Sequence, residues 1–223
     1  MIVIIGGNGY IGRNIAKHAI NRGFKVTCVS RSGVPKEKTH WDSKITYVKG
    51  NALRPEEFTD LLKESDKIIH SVGILRANSE KEYTELNRDS AISVAKHLEY
   101  LSSSSSCPKK KLVLISSSHY PPFMKKYLDT KEEAEAYIKT LEHINYAILK
   151  PGFIYSAKER WWSSPLSGPL DFAHCLLGKK DLGVAKFEST ISLNEVCLTA
   201  LSALESPDDK KVYMNEDIAK IAG

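Results

Sequence analysis

The chain has 223 residues, of which 42% are hydrophobic and 26% charged. That composition suits a folded unit with a sizeable core and excludes wholesale disorder and collagen-like repeats. Lys plus Arg number 32 against 27 Asp plus Glu, a net charge of +5; this mild excess suits an anionic ligand and does not by itself call for nucleic acid.

The first element is an apolar run, Ile2–Ile5, read as a strand. Met1 leads straight into it, so no cleavable signal is read, although a presequence outside this sequence fits equally well. Gly6-Gly7-Asn8-Gly9-Tyr10-Ile11-Gly12 follows and opens a helical period marked by Ile11, Ile15 and Ala19. Gly6, Gly9 and Gly12 fit GxxGxxG, while Gly7, Gly9 and Gly12 fit GxGxxG. Glycine is needed where the chain turns tightly and where backbone approaches a pyrophosphate; the helix start then offers free N–H groups and the positive end of its dipole. Between a strand and an amphipathic helix, this turn is expected to bind a dinucleotide through Gly6, Gly7, Asn8, Gly9, Tyr10, Ile11 and Gly12.

A second apolar run, Val26–Val29, ends in Ser30-Arg31. An NAD site usually places an acid there to hold the ribose 2′-hydroxyl. Here Arg31, and Arg13 just past the glycine turn, offer guanidinium groups that suit a 2′-phosphate. The expectation is NADP(H) over NAD(H), with Ser30, Arg31 and Arg13 at the cofactor; the bland alternative is that Arg31 is a solvated loop charge.

Further strands are read at Ile45–Val48, Ile68–Val72, Leu112–Ile115, Tyr146–Leu149 and Val212–Met214. Helical periods lie between most of them, at Ala91, Val94, Ala95, Leu98 and Leu101, and at Ala134, Tyr137, Ile138 and Leu141. Strands alternating with helices predict an α/β fold, a doubly wound parallel sheet covered on both faces. Ser102–Ser106 reads as a loop, and Lys109–Lys111 as a solvated charge run with no nucleic-acid motif beside it. His70, in an apolar strand, reads as a hydrogen-bonded core histidine.

The Leu112 strand ends in Ser116-Ser117-Ser118, and Tyr127 and Lys131 follow on a helix. A Tyr and a Lys four positions apart on a helix lie about 5–6 Å apart on one face. A nearby ammonium favours the phenolate, so Tyr127 is a candidate proton donor and acceptor, with Ser118 a candidate to hold a carbonyl. Tyr127 and Lys131 share the face of Ala134, Ile138 and Leu141, where a lysine needs a partner or a ligand; the alternative is that Lys131 snorkels to solvent. Tyr146 and Lys150 have the same spacing, but in a strand it spans about 13 Å and makes no dyad.

From about Pro151 to Thr190 the chain reads as irregular, a small substrate or partner segment before the last helix and strand of a single domain, 1–223. Trp161-Trp162 there is a candidate contact for a quinone tail, a lipid surface or a partner protein, or simply packing over the sheet edge. Ser192-Leu193-Asn194-Glu195 has the form of a capping box, and Leu193, Val196, Ala200 and Leu204 continue an apolar helix face. No apolar run reaches membrane-spanning length. Cys28, Cys107, Cys175 and Cys197 form no CxxC, and no His pair has zinc spacing; neither disulfide framework nor metal site is expected, and a reducing compartment is the default.

Taken together, the glycine turn, Gly50-Asn51, the Ile68–Gly73 run, Asn87, Ser116–Ser118, Tyr127/Lys131 and Lys150–Tyr155 resemble the atypical or extended branch of the short-chain dehydrogenase/reductase superfamily. The resemblance implies a Rossmann fold, Asn51 near the adenine, Val72 and Gly73 at the cofactor ribose and Pro151-Gly152 beside the nicotinamide. It places Ser118, Tyr127 and Lys131 at the family's catalytic positions. Two departures are that only nine positions separate Ser118 from Tyr127, and that Asn51 stands where the family has Asp. Val29–Gly33, His70–Leu75 and Leu128–Glu135 are similar to a mitochondrial subgroup. That subgroup includes the fungal accessory protein of the ubiquinone-biosynthesis complex and the nucleotide-binding accessory subunit of respiratory complex I. The subgroup implies an NADP(H)-binding mitochondrial accessory protein, on the matrix side, near quinone chemistry, with the cofactor often structural. An active NADPH-dependent reductase remains the alternative, and a cytoplasmic location stays open.

Overall fold

A computed structural model describes residues 1–75, 77–103, 109–118, 125–155, 190–208 and 210–222. Seven strands form one sheet: β1 (Ile2–Ile5), β2 (Val26–Ser30), β3 (Ile45–Lys49), β4 (Lys67–His70), β5 (Lys111–Ile115), β6 (Asn145–Lys150) and β9 (Lys210–Met214), in the order β3-β2-β1-β4-β5-β6-β9. Every pairing is parallel, with Ile2 opposite both Val26 and Lys67. The strand order reverses between β1 and β4, which makes the carboxyl end of β1 the topological switch point.

All four residues of β1 are buried, because the strand is central and covered on both faces. Side-chain alternation divides the core. Ile2 and Ile4 pack with Ile15, Ala16 and Ala19 of helix α1 (Tyr10–Asn21), and with Val196, Ala200 and Leu204 of α6 (Leu193–Glu205). Val3 and Ile5 face the opposite layer, formed by α2 (Thr59–Glu64), α4 (Ser90–Ser103) and α5 (Lys125–Lys139) through Leu62, Val94, Leu98, Ala134 and Ile138. Each fully buried Ile, Val or Leu among them contributes about 1.5–3 kcal/mol. A short α3 (Glu80–Thr84) leads into α4, and α7 (Asn215–Ala222) follows β9.

The predicted capping box is present at α6: Ser192 Oγ accepts from Glu195 N (3.2 Å) and Glu195 Oε2 from Ser192 N (2.7 Å). His70 is fully buried, with Nε2 3.3 Å from Ser90 Oγ; burial and then the Lys131 charge push its pKa down to about 3, so the ring is neutral.

Three expectations are corrected. Strand β4 ends at His70, not Val72, although the parallel ladder runs one bond further, Ser71 N donating to Ile5 O at 2.9 Å. The segment read as irregular holds β7 (Phe153–Tyr155) and β8 (Thr190–Ser192), paired in parallel. Three-residue strands are too short to show alternation. Lys109–Lys111 is solvated only at Lys109, which is exposed; Lys110 and Lys111 are 6% and 8% exposed. Lys110 Nζ donates to Lys63 O and Ser65 O, at the end of α2. Lys111 Nζ donates to Ser206 O and Asp208 O, beyond α6. Carbonyls past a helix end lack internal donors, and ammonium groups supply them.

Candidate dinucleotide-binding site

The glycine turn lies at the switch point, and three of its glycines are required for different reasons. Gly6 has φ +87°, a left-handed conformation that lets the chain reverse after β1. A Cβ at Gly7 would lie 2.4 Å from Cys28 Cβ, and one at Gly12 would lie 2.4 Å from Gly6 O. The turn is pinned by Gly6 N and Gly7 N, both donating to Val29 O, and by Gly9 N donating to Gly6 O at 2.9 Å. Helix α1 begins at Tyr10 with no acid in its first turn, so its amino end presents backbone N–H groups and positive dipole to an anion.

In front of the turn is a crevice of about 160 Å³. It gathers Gly6, Gly9, Ser30, Arg31, Asn51, Val72 and Gly73, all expected there from sequence. Ser71, Ile74 and Leu86 also line it and were missed. Asn51 forms a side-chain turn, its Oδ1 accepting from Leu53 N at 3.1 Å. Gly7 sits behind the turn against Cys28, and neither it nor Tyr10, Ile11, Gly12, Pro151 or Gly152 lines the crevice. A larger hollow of about 460 Å³ lies elsewhere, walled by Val34, Lys38, Asp42 and Tyr47. It is away from the glycine turn, and Asp42 and Tyr47 in its wall are already bonded to each other.

The two arginines expected at a 2′-phosphate part company. Arg13 donates to Asp42 Oδ2 at 2.7 Å and to Glu37 O at 3.2 Å, and stacks 4.9 Å above Trp41. It does not line the crevice. Burial opposes ionisation of Asp42, but hydrogen bonds from Thr39 and Tyr47 and the Arg13 charge outweigh it and hold the carboxyl below the usual range. Arg31 is exposed at the crevice mouth, and no described carboxylate pairs with it.

On the other side, Tyr127 and Lys131 share the buried face of α5, as predicted. Lys131 does not snorkel: it is 2% exposed, and Nζ donates to Val72 O at 3.1 Å and Ile115 O at 3.4 Å. Burial pulls its pKa down to about 8, against the opposing charge of Glu135. Its Nζ lies 6.0 Å from the Tyr127 ring centroid, and Tyr83 meets that ring edge-on. A Cβ at Gly73 would come within 3.0 Å of Lys131 Nζ, so the glycine admits the ammonium beneath the Val72–Gly73 turn.

Asn87 clasps the next residue from both sides, Oδ1 accepting from Ile74 N (2.9 Å) and Nδ2 donating to Ile74 O (3.0 Å). It occupies a π-helical turn, Glu85–Asp89, that leads into α4; such turns recur at functional sites. Ser118 N donates to Pro151 O, tying the ends of β5 and β6, and Gly152 N donates to Asn215 Oδ1 at the start of α7. Beneath them Glu135, unremarked in the sequence, accepts from Ser116 Oγ (2.5 Å) and Lys150 Nζ (3.0 Å). An acid on the apolar face of α5, one turn beyond Lys131, was the signal that could have found it. Residues 119–124 and Trp161 and Trp162 lie outside the described residues. Among the described residues no cluster of His, Cys, Asp or Glu could hold a metal ion, and no helix is long and apolar enough to cross a membrane.

A parallel sheet with a glycine turn and helix amino end at its switch point defines a dinucleotide-binding protein of the Rossmann class. The chain belongs to the NAD(P)H-binding family whose model matches residues 6–161. It is 23% identical over 277 aligned positions to MIOREX complex component 2 of Saccharomyces cerevisiae, covering 98% of each chain. It is 27% identical to an uncharacterized chloroplastic protein of Arabidopsis thaliana, covering 99% of this chain and 77% of that one. Among solved structures, Bordetella bronchiseptica WbmH in complex with NAD+ superposes with a TM-score of 0.67 at 16% identity, covering 96% of this chain and 74% of the other. UDP-glucose 4-epimerase of Thermotoga maritima does so with 0.68 at 14% identity, covering 96% and 75%. These two show a shared fold.

Proposed function

We propose that the protein is an NADP(H)-binding accessory protein of a mitochondrial assembly in quinone biosynthesis or the respiratory chain, with the cofactor serving structure. The observation that carries the cofactor half is the crevice mouth: β2 ends at Ser30 and is followed by Arg31, with no acid there, and Arg31 has no described carboxylate partner. A 2′-phosphate suits that guanidinium, whereas Arg13 is already neutralised by Asp42. Support for the assembly comes from end-to-end alignment with a relative named as a complex component, together with the resemblance to the mitochondrial accessory subgroup. The Trp161-Trp162 segment is the proposed contact surface, for a partner or a membrane surface. Bound cofactor would stabilise the fold by mass action, about 2.7 kcal/mol at a hundredfold excess over Kd.

Titration calorimetry with NADPH and NADH tests this. Wild type should prefer NADPH, and Arg31→Asp should weaken NADPH by about tenfold or more and shift preference to NADH. An unchanged ratio would remove the 2′-phosphate assignment.

The alternative, a reductase acting on a carbonyl or quinone, is favoured by one observation: Lys131 is buried on the Tyr127 face and carries a lowered pKa. In that reading Tyr127 passes a proton, Lys131 assists it and holds the nicotinamide ribose, and Ser118 orients the carbonyl; the bound nucleotide supplies the hydride. Tyr127→Phe should then abolish NADPH oxidation with such substrates, assayed at 340 nm. Turnover unchanged in that variant excludes the reading, and tight binding with no turnover in wild type supports the accessory role.

A further inference from the structure

We infer that Asn8 is a specificity-positioning residue, tying the pyrophosphate turn to the turn that presents Arg31. This rests on the NADP(H) reading and goes beyond it, since Arg31 alone on an exposed turn would be a loosely placed charge. The Ser30–Gly33 turn closes on itself: Gly33 N donates to Ser30 O at 3.1 Å, and Ser30 Oγ to Gly33 O at 3.1 Å. Gly33 takes φ +67° against the Lys49 side chain, so no other residue completes this turn without strain. Arg31 and Ser32 stand exposed at its tip.

From the glycine turn, one side chain reaches across. Asn8 Nδ2 donates to Gly33 O at 2.6 Å and to Ser32 Oγ at 2.9 Å. The amide orientation is fixed, because a carbonyl can only accept. The clasp has a cost, since Asn8 Oδ1 is buried with no partner among the described residues. An orphaned buried acceptor is unfavourable, and an alanine would avoid it. The bonds to Ser32 and Gly33 are what an asparagine gains there. They set the distance between backbone that faces a pyrophosphate and a guanidinium that faces a 2′-phosphate, so the entropy of placing Arg31 is lost on folding and not on binding.

The test is the NADPH-over-NADH affinity ratio, because whatever Asn8 contributes to both nucleotides cancels in it. Asn8→Ala should lower the ratio about fivefold in an otherwise wild-type chain, and should leave it unaltered in an Arg31→Ala background. Ser32→Ala, which removes one of the two bonds, should move the ratio the same way by less. An unaltered ratio in both single variants overturns the inference. So does an equal loss with and without Arg31, which would mark Asn8 as a general structural residue. A wild type with no NADPH preference overturns the NADP(H) reading and this inference together; a preference that Arg31→Asp removes but Asn8→Ala does not overturns this inference alone.

Discussion

Gly12→Ala should abolish dinucleotide binding and destabilise the fold by about 2 kcal/mol or more. Helix propensity points the other way, since alanine inside a helix is favoured over glycine by about 1 kcal/mol. Packing decides the sign. The new Cβ would lie 2.4 Å from Gly6 O and 2.6 Å from Ser71 Oγ. Neither neighbour can yield cheaply: Gly6 O already accepts from Gly9 N, and Ser71 Oγ donates to Ile5 O at 3.0 Å. Relief requires α1 to move off the sheet, which carries its amino end away from the anion site. Gly23→Ala is the control. Gly23 has φ +82° but nothing within 4 Å of its added Cβ. It should cost about 1 kcal/mol of strain and leave nucleotide affinity intact. Urea unfolding and calorimetric titration of both variants check the contrast; a Gly12→Ala protein that binds like wild type would refute the packing argument.

Lys131→Met should change how stability depends on pH in the alkaline range. Burial pulls the Lys131 pKa from 10.5 down to about 8. Below the folded value the ammonium is present in both states, and the native state bears the cost of burying it. Between about 8 and 10.5 the native state has lost the proton and the unfolded state still holds it, so unfolding free energy rises with pH. Wild type should therefore gain about 3 kcal/mol relative to Lys131→Met across that window, with the gain lost as pH falls through 8. Cys28 and Cys197, both pushed up to about 12 by burial, act in the opposite sense on alkaline stability. They are the same in both proteins and cancel in the difference. A difference that stays flat with pH would mean that Lys131 titrates normally.

The core strands and the glycine turn were legible because their signals are local. A buried parallel strand is an unbroken apolar run, and β1 has that form. Gly6 and Gly12 stand where the chain must reverse and where helix must meet strand, constraints expressed within seven residues. The shared face of Tyr127 and Lys131 followed from helical period alone. What failed was anything set by distant partners. Lys110 and Lys111 looked like solvent charges because the carbonyls they bond lie 45 to 97 positions away. Glu135 gave no sign of its role until β5 and β6 brought Ser116 and Lys150 to it.

The arginines show most plainly where that boundary falls. Amino-acid order by itself determined that this is a parallel α/β nucleotide fold, that an anion site opens at its first turn, and that no acid guards the end of the second strand. It presented Arg13 and Arg31 as equals. Only the tertiary structure separated them, by bringing Asp42 across 29 positions onto Arg13 and leaving Arg31 at the crevice. Backbone conformation and apolar period are written in neighbouring residues, whereas the choice of a charged group's partner is made by whichever opposite charge the folded chain places within reach.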